Sequence, residues 1–374
     1  MNPNIVKYIN LPLQFKSLQE EIIPAITTVL KSGDYIMGSE VLRLEKRFAE
    51  YCGSPYALGV ANATDALILC LKCLDIGPGD EVITVPNSFI ATAGAIAAVG
   101  AKPVFVDVND DFNMDPNLIQ KAITSKTKAI LPVHLTGRPA NMTAILKIAT
   151  ENNLPVLEDA AQAVGAEHYG KKVGSWGIAG CFSLHPLKNL NASGDGGIIT
   201  VNDPTLYQKL VQLRNHGLRN RDEADFWGYN SRLDSLQAAI VNVKMNHLEQ
   251  WTARIREIAS RYQHHLAKVV KVPFDKTFEK AVYHTFIIES EQRDQLQSFL
   301  LERGIETKIH YRIPLHLQPA AKNLGYTKGD FPKAEKQVER ILSLPIYPEL
   351  TDQQIDYVIQ QVTLFHHLYS KSQK

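Results

Sequence analysis

Three apolar segments decide the fold: Glu81-Val82-Ile83-Thr84-Val85, Pro103-Val104-Phe105-Val106 and Ala129-Ile130-Leu131-Pro132-Val133. Each has the length and composition of a buried strand, and stretches of helical character at 90–99 and 116–123 separate them. Strands that alternate with helices are joined by right-handed crossovers and form a largely parallel sheet. The same pattern predicts further elements outside this stretch: strands at 155–157 and 197–201, and helices at 64–74 and 140–152.

The pattern changes after Asp234. A long helical stretch reaches about Lys268, and the sequence then predicts a strand at 282–288 and helices at 293–303 and 351–367. We therefore predict two domains: a large α/β domain over residues 1–245 and a smaller C-terminal α+β domain over 246–374.

The composition argues against several classes of protein. The 374 residues carry 40 Lys+Arg against 39 Asp+Glu, a net charge of +1, which does not favour a nucleic-acid partner. Nothing at residues 1–14 resembles a signal peptide, and no apolar run approaches the roughly 20 residues that span a bilayer. We expect a cytoplasmic protein without a membrane partner.

Cys70 and Cys73 have the C-x-x-C spacing of a redox or zinc motif, but they lie in an apolar helical segment. The chain has no second such pair, so we expect core thiols. His310 and His316 lack a carboxylate at ligand spacing, and we predict no metal site.

Asp159 follows an apolar strand in Val156-Leu157-Glu158-Asp159-Ala160-Ala161-Gln162. Ligands of open α/β sheets bind outside the carboxyl ends of the strands. A carboxylate there can keep a pyridine nitrogen protonated, which makes the ring an electron sink. An Asp at a strand end is more often a helix cap or turn former, so this residue alone decides nothing.

Lys188 lies between the strand-like segment that includes Ser183 and the glycine-rich turn Gly194-Asp195-Gly196-Gly197. A desolvated lysine amine can attack a carbonyl carbon, and the Ser183 hydroxyl can bind phosphate. Thr64 opens a predicted helix, whose N-terminus attracts anions. Separately these residues could be a surface lysine and an ordinary helix cap. Together with Asp159 they match what pyridoxal 5′-phosphate (PLP) requires.

The motifs resemble those of the DegT/DnrJ/StrS family of PLP-dependent sugar aminotransferases. The resemblance runs nearly end to end, from Ser32-Gly33-Asp34-Tyr35 to Leu344-Pro345-Ile346-Tyr347-Pro348. It implies the fold-type I, aspartate aminotransferase-like architecture. The motifs that carry it are Glu158-Asp159-Ala160-Ala161-Gln162, His185-Pro186-Leu187-Lys188-Asn189-Leu190, Gly194-Asp195-Gly196-Gly197, Leu213-Arg214-Asn215-His216-Gly217 and Gly228-Tyr229-Asn230-Ser231-Arg232-Leu233-Asp234.

The resemblance also implies residue roles. Lys188 would form the Schiff base to PLP and move protons, and Asp159 would pair with the pyridine nitrogen. Asn230 would reach the phosphate of a neighbouring subunit, which implies a homodimer with shared active sites. The remaining cofactor contacts are Ala63, through its backbone N–H, Thr64 and Ser183 at the phosphate, Gln162 near the phenolic oxygen, and Phe89 stacked on the ring.

The implied reaction transfers an amino group from an amino acid, expected to be L-glutamate, to a keto sugar, expected to be nucleoside-diphosphate-linked. The cofactor would alternate between PLP and its pyridoxamine form (PMP). Candidate substrate contacts are Tyr35, His185, Arg219, Arg232, Lys308 and His310.

Two features point to different sugars. Gly194-Asp195-Gly196-Gly197 and Asn230-Ser231-Arg232-Leu233-Asp234 resemble enzymes that aminate 3-keto sugars, whereas His185-Pro186 resembles those acting on 4-keto sugars. The carbon that is aminated stays open. A cyclitol (keto-inositol) aminotransferase is an alternative, and a non-catalytic regulatory protein that binds PLP or a sugar is a more distant one.

Overall fold

The computed structural model describes residues 5–371, with side chains to residue 368. The helices are α1 (Leu11–Ser32), α2 (Ser39–Cys52), α3 (Ala63–Cys73), α4 (Ile90–Ala98), α5 (Pro116–Ala122), α6 (Met142–Glu151), α7 (Pro204–Leu213), α8 (Ser235–Lys244), α9 (Leu248–Leu266), α10 (Arg293–Glu302), α11 (Pro332–Arg340) and α12 (Asp352–Lys371). The strands are β1 (Tyr56–Val60), β2 (Glu81–Thr84), β3 (Lys102–Phe105), β4 (Thr127–Ile130), β5 (Leu157–Asp159), β6 (Glu167–His168), β7 (Lys171–Lys172), β8 (Ala179–Ser183), β9 (Gly197–Val201), β10 (Glu279–Lys280), β11 (Phe286–Glu289) and β12 (Ile341–Leu344).

The central sheet consists of two parts that parallel bridges join. One part has the strand order β1-β9-β8-β5 and the other the order β3-β2-β4. Bridges from Ile130 to Val156 and from Val133 to Asp159 connect β4 to β5. Strand β9 runs antiparallel to both of its neighbours, while β5–β8 and β2 with its partners are parallel. The predicted mostly parallel sheet is therefore confirmed.

Side-chain caps explain where several helices begin. The carboxylate or amide oxygen of the residue before each helix accepts a hydrogen bond from a backbone N–H of the first turn, which has no acceptor within the helix. The capping residues are Asn10, Asn62, Asp115, Asn141 and Asp203.

The prediction of one long helix from residue 234 to 268 is wrong in one respect, because this segment forms two helices, α8 and α9. Arg47 Nη1 donates to the carbonyl oxygen of Asn242 at 2.6 Å. That carbonyl would otherwise accept the N–H of Asn246, which bonds to Val243 O instead. The Arg47 side chain thus binds the carbonyl oxygen at which the regular α-helical bonding pattern stops.

The break between α8 and α9 falls at the predicted domain boundary. Beyond it, α9, β11, β12 and α12 surround a separate apolar core that includes Tyr262, Phe286 and Phe365. Val6 packs in the same core, and its N–H donates to Gly304 O at 2.8 Å. The first described residues therefore pack against the C-terminal part of the molecule. The exact domain boundary stays a prediction.

The four cysteines Cys52, Cys70, Cys73 and Cys181 are all free and buried. Cys70 and Cys73 belong to the core beneath α3, and burial raises the pKa of the Cys73 thiol to about 12. The expectation of core thiols is confirmed. Across residues 5–371, no helix is both long enough and apolar enough to cross a bilayer.

Candidate active site

A cavity of about 610 Å³ opens at the carboxyl ends of the central strands. This volume lies within the range of roughly 300–1,000 Å³ that small-molecule sites occupy. Most of the predicted cofactor contacts face it. Those that line it are Ala63, Thr64, Phe89, Asp159, Gln162, Ser183 and Lys188, together with His185 and His310 from the candidate substrate contacts.

Asp159 ends β5 and is held by two hydrogen bonds. Its Oδ2 accepts from the Thr92 hydroxyl at 2.7 Å, and its Oδ1 accepts from the Ala161 N–H at 3.2 Å. Thr92 is itself hydrogen-bonded to the Ser88 hydroxyl at 2.7 Å. Burial raises the pKa of Asp159, whereas these bonds and the nearby charge of Lys188 act to lower it. The carboxylate is fixed in one orientation but lacks a cationic partner within salt-bridge distance among the described residues.

Glu158 points to the opposite face of β5, as the alternation along a strand requires. Its two oxygens accept the backbone N–H groups of Gly174, Trp176 and Gly177, and Oε2 lies 2.9 Å from His134 Nε2. Adjacent acids in one motif thus have separate functions. Glu158 holds the following loops, and Asp159 faces the cavity.

Gln162 connects the cavity wall to a residue that sequence reasoning missed. Its Oε1 accepts the Thr136 N–H at 2.8 Å, and its Nε2 donates to the Tyr311 hydroxyl at 3.2 Å. The Tyr311 ring lies 5.7 Å from the Phe89 ring, centroid to centroid. Both aromatic side chains line the cavity, so a planar ligand above Asp159 would find apolar ring surface and the amide of Gln162.

The N-terminus of α3 closes another side of the cavity. Asn62 caps it by accepting the Asp65 N–H at 2.8 Å, and the N–H groups of Ala63 and Thr64 precede the first intrahelical hydrogen bond. A Cβ atom on Gly197 of β9 would lie 2.5 Å from the backbone carbon of Asn62. Only glycine at position 197 lets the strand approach this helix end so closely.

Lys188 enters from the loop after β8. Its Nζ lies 3.4 Å from His284 Nε2, and burial lowers the pKa of the Lys188 amine to about 8. Asn191 Nδ2 donates to the Lys188 carbonyl at 2.9 Å, and the buried Lys244 ammonium donates in turn to Asn191 Oδ1. The amine is therefore positioned by its backbone and is a stronger nucleophile near neutral pH than an ordinary lysine.

The remaining predicted contacts lie outside the cavity of a single chain. Arg219 pairs with Glu223 at 2.9 Å, and Arg232 Nη1 donates to Asn215 Oδ1 at 3.0 Å. Tyr35, Asn230 and Lys308 are exposed. His310 and His316 have separate partners: His310 Nδ1 lies 2.9 Å from Ser343 Oγ, and His316 Nε2 lies 3.0 Å from Glu335 Oε1.

Sequence reasoning missed three residues beside the predicted set. Thr92, His284 and Tyr311 line the cavity together with it. Thr92 stands three residues after Phe89 at the start of α4, so helical spacing could have indicated it. The other two come from distant segments, and no local signal in the sequence links them to the site.

The donor set of this cavity fits PLP. Backbone N–H groups at a helix N-terminus and the hydroxyls of Thr64 and Ser183 suit a phosphate group. Asp159 suits a protonated pyridine nitrogen, and the amine of Lys188 suits an aldehyde. These groups surround one cavity large enough for the cofactor and part of a substrate.

Known proteins share this sequence and architecture. A family model described as the DegT/DnrJ/EryC1/StrS aminotransferase family matches residues 16–363. A protein of Aneurinibacillus thermoaerophilus named dTDP-3-amino-3,6-dideoxy-alpha-D-galactopyranose transaminase is 46% identical over 354 residues, which cover 93% of this chain and 96% of that protein. A protein of Geobacillus stearothermophilus named pleiotropic regulatory protein is 44% identical over 366 residues, 96% of this chain and 98% of that protein.

Solved structures agree with this assignment. The crystal structure of S. venezuelae DesV superposes with a TM-score of 0.94 at 41% identity, covering 96% of this chain and 98% of that one. NtdA from Bacillus subtilis, with bound cofactor PMP, superposes with a TM-score of 0.89 at 31% identity, covering 98% and 84%. The predicted fold-type I architecture and PLP as cofactor are confirmed. The chain belongs to the DegT/DnrJ/EryC1/StrS aminotransferase family and is a PLP-dependent sugar aminotransferase.

Proposed function

We propose that this enzyme transfers the amino group of L-glutamate to the 3-keto group of a nucleoside-diphosphate-linked sugar. The observation that carries the chemistry is the shared cavity of Lys188 and Asp159, in which a lysine with lowered pKa and a fixed carboxylate face the same space. The sugar and its 3-keto position rest on relatives. The Aneurinibacillus thermoaerophilus protein, 46% identical, is named for a dTDP-linked 3-amino sugar.

When bound, PLP supplies an electron sink that lowers the barrier to breaking the Cα–H bond of an amino acid. The residues of this chain provide the proton movements and orientation. Lys188 Nζ would act as a general base that takes the proton from the α-carbon of the donor. In the reverse half-reaction it would act as a general acid that gives a proton to the sugar carbon being aminated. Asp159 would hold a proton on the pyridine nitrogen, and Thr92 and Ala161 keep its carboxylate turned toward the cavity.

The phosphate end would be held by the N–H of Ala63, the N–H and hydroxyl of Thr64 and the hydroxyl of Ser183. Phe89 would cover one face of the ring, and the Gln162 amide would contact the phenolic oxygen. His185 and His310 line the outer part of the cavity, where the amino acid and the sugar would enter in turn.

The substrate is tested by turnover with L-glutamate and a panel of keto acceptors, with mass detection of the amino product. We expect amination of dTDP- or UDP-linked 3-keto sugars and slower reaction, by at least about tenfold, with 4-keto isomers, because a site that hydrogen-bonds its substrate rejects an isomer whose polar groups are misplaced. Exclusive turnover of keto-inositol would instead establish the cyclitol aminotransferase. Absence of turnover with every acceptor would favour a regulatory protein, as the Geobacillus stearothermophilus relative is named.

We further propose a homodimer in which each subunit completes the other's site. Asn230 and Arg219 lie in an exposed segment that also presents Trp227, which is 96% exposed, and Tyr229. A bridge from Ile36 to Asp234 brings Tyr35 and Ile36, both exposed, to the same region. Exposed large apolar side chains grouped in this way favour contact with another protein surface, and a second copy would bring Asn230 to the phosphate site.

Mixing two inactive variants tests the shared site. Half of the dimers in an equal mixture of Lys188→Ala and Asn230→Ala chains would be heterodimers, each with one intact site if Asn230 acts across the interface. We expect about one quarter of wild-type activity to return. No recovery, although native mass spectrometry detects the heterodimers, would place Asn230 in its own subunit's site. Full activity of Asn230→Ala by itself would place Asn230 outside the chemistry.

The proposal includes a cytoplasmic location and the two-domain division at residues 245 and 246. Four free, buried cysteines are typical of a reducing compartment. The break between α8 and α9 and the separate core around Tyr262 support a division there.

A further inference from the structure

His284 is the described side chain that contacts the amine of Lys188. The two nitrogens, Lys188 Nζ and His284 Nε2, lie 3.4 Å apart. The neighbouring histidines use a ring nitrogen elsewhere: His185 Nδ1 accepts the Leu187 N–H at 3.3 Å, and His310 Nδ1 lies 2.9 Å from Ser343 Oγ. Hydrogen bonds at active sites are often long before substrate binds, so this distance is compatible with a functional contact.

The backbone that carries His284 is tied to the residue after Lys188. Asn189 Nδ2 donates to the Val282 carbonyl at 2.9 Å, and the Val282 N–H donates to the Gly137 carbonyl at 2.8 Å. Gly137 has a φ of +85°, and a Cβ atom on it would lie 2.8 Å from the backbone nitrogen of His284. The backbone just before His284 is thus fixed against Asn189 and Gly137, which sets the imidazole close to the amine.

Charge decides which protonation states can coexist here. Burial, the charge of Lys188 and the two other histidines all lower the pKa of His284 well below its ordinary value. The imidazole is therefore neutral at the pH where the Lys188 amine titrates. With its proton on Nδ1, the neutral ring can accept a hydrogen bond at Nε2 from the ammonium form of Lys188. With its proton on Nε2, it can donate one to the free amine, so the two tautomers can hold Nζ in either state.

We infer that His284 is a positioning residue for catalysis, which holds the amine of Lys188 toward the reacting atoms whenever that amine is not bonded to the cofactor. This inference rests on the proposed function, because it assigns a task to the freed lysine. A long flexible lysine side chain samples many rotamers, and restricting them removes an entropic cost from each proton transfer.

His284 lies two residues before the strand β11, which contributes to the C-terminal core, whereas Lys188 follows β8 of the central sheet. The contact therefore joins the two parts of the molecule at the reacting amine.

The test compares His284→Phe, His284→Ala and His284→Gln with the surface control His265→Gln. Glutamine places an amide nitrogen near the position of Nε2 and so conserves the contact, while phenylalanine and alanine remove it. Two quantities are measured: kcat and KM for glutamate, and the rate at which PLP-free protein takes up PLP, followed by its visible absorption. The second needs no turnover.

We expect His284→Phe and His284→Ala to lower kcat and the PLP uptake rate together by about 10- to 100-fold, with KM changed less than about threefold. His284→Gln should recover most of both, and His265→Gln should match wild type.

His284→Ala covers the case in which phenylalanine does not fit. Wild-type values in folded His284→Ala would overturn the inference, as would equal losses in Gln and Ala, which would indicate that the imidazole is needed as an acid or base. A wild-type protein that takes up PLP but transfers no amino group would contradict the proposed function instead.

Discussion

Lys188→Ala is expected to fold, to bind PLP without a covalent bond, and to lose at least about 1,000-fold in kcat. The variant lacks both the nucleophile that bonds the cofactor and the group that moves the proton, and each contributes a factor of 100 or more in comparable enzymes. The measurement is borohydride reduction followed by peptide mapping, together with turnover. In wild type the pyridoxyl mass should appear on the peptide containing Lys188.

The chain offers two informative controls. Burial lowers the pKa of Lys244 to about 8, like that of Lys188, but the Lys244 ammonium donates to Asn191 and does not line the main cavity. Lys147 is exposed on α6. Label on Lys244, or wild-type turnover by Lys188→Ala, would contradict the assignment. Lys147→Ala should behave as wild type.

The lowered pKa of Lys188 also predicts how PLP uptake depends on pH. Only the free amine attacks the aldehyde, so uptake should rise with pH and level off above about 8. A midpoint near the ordinary lysine value of about 10.4 would show that the attacking amine is not desolvated.

Asp159→Asn is expected to keep PLP bound and lose on the order of 100- to 1,000-fold in kcat. Asparagine can still accept the Thr92 hydroxyl hydrogen bond, but a neutral amide cannot hold the pyridine nitrogen protonated. Because burial disfavours the charged form of Asp159, removing its charge should not lower the free energy of unfolding. Stopped-flow measurement of the glutamate half-reaction isolates the chemical step.

Glu158→Gln is the matched control on the same strand. Glu158 accepts three backbone N–H groups and contacts His134, so its replacement should reduce the free energy of unfolding by about 3 kcal/mol. The remaining folded enzyme should keep a near-normal kcat. The opposite pattern, with Asp159→Asn fully active and Glu158→Gln inactive, would exchange the two roles.

Local pattern predicted much of this fold because its strands are apolar and its helices carry caps. The predicted strand at 197–201 and the tail helix from 351 follow from such signals. The break at residues 245–247 did not; it lies where Arg47, about 200 residues away in sequence, binds the Asn242 carbonyl. Tertiary contacts of this kind leave no mark on local periodicity.

The candidate site divides in the same way. Asp159 and Lys188 could be proposed from the sequence because each follows a strand, and strand ends of a parallel sheet meet at one edge. Tyr311 and His284 come from loops remote in sequence. Only the folded chain shows that Tyr311 contacts Gln162 and that His284 contacts Lys188. Contacts supplied by a second subunit are one step further removed, since Asn230 is exposed in the single chain.

The most direct test of the account is the visible absorption spectrum of the purified protein with PLP, before and after excess L-glutamate. We predict a yellow band of lysine-bound cofactor that fades as the cofactor becomes PMP and 2-oxoglutarate is released, and no such band in Lys188→Ala. A band that does not respond to glutamate or any other amino acid would contradict amino transfer. No band with added PLP would contradict Lys188 as the residue that bonds the cofactor.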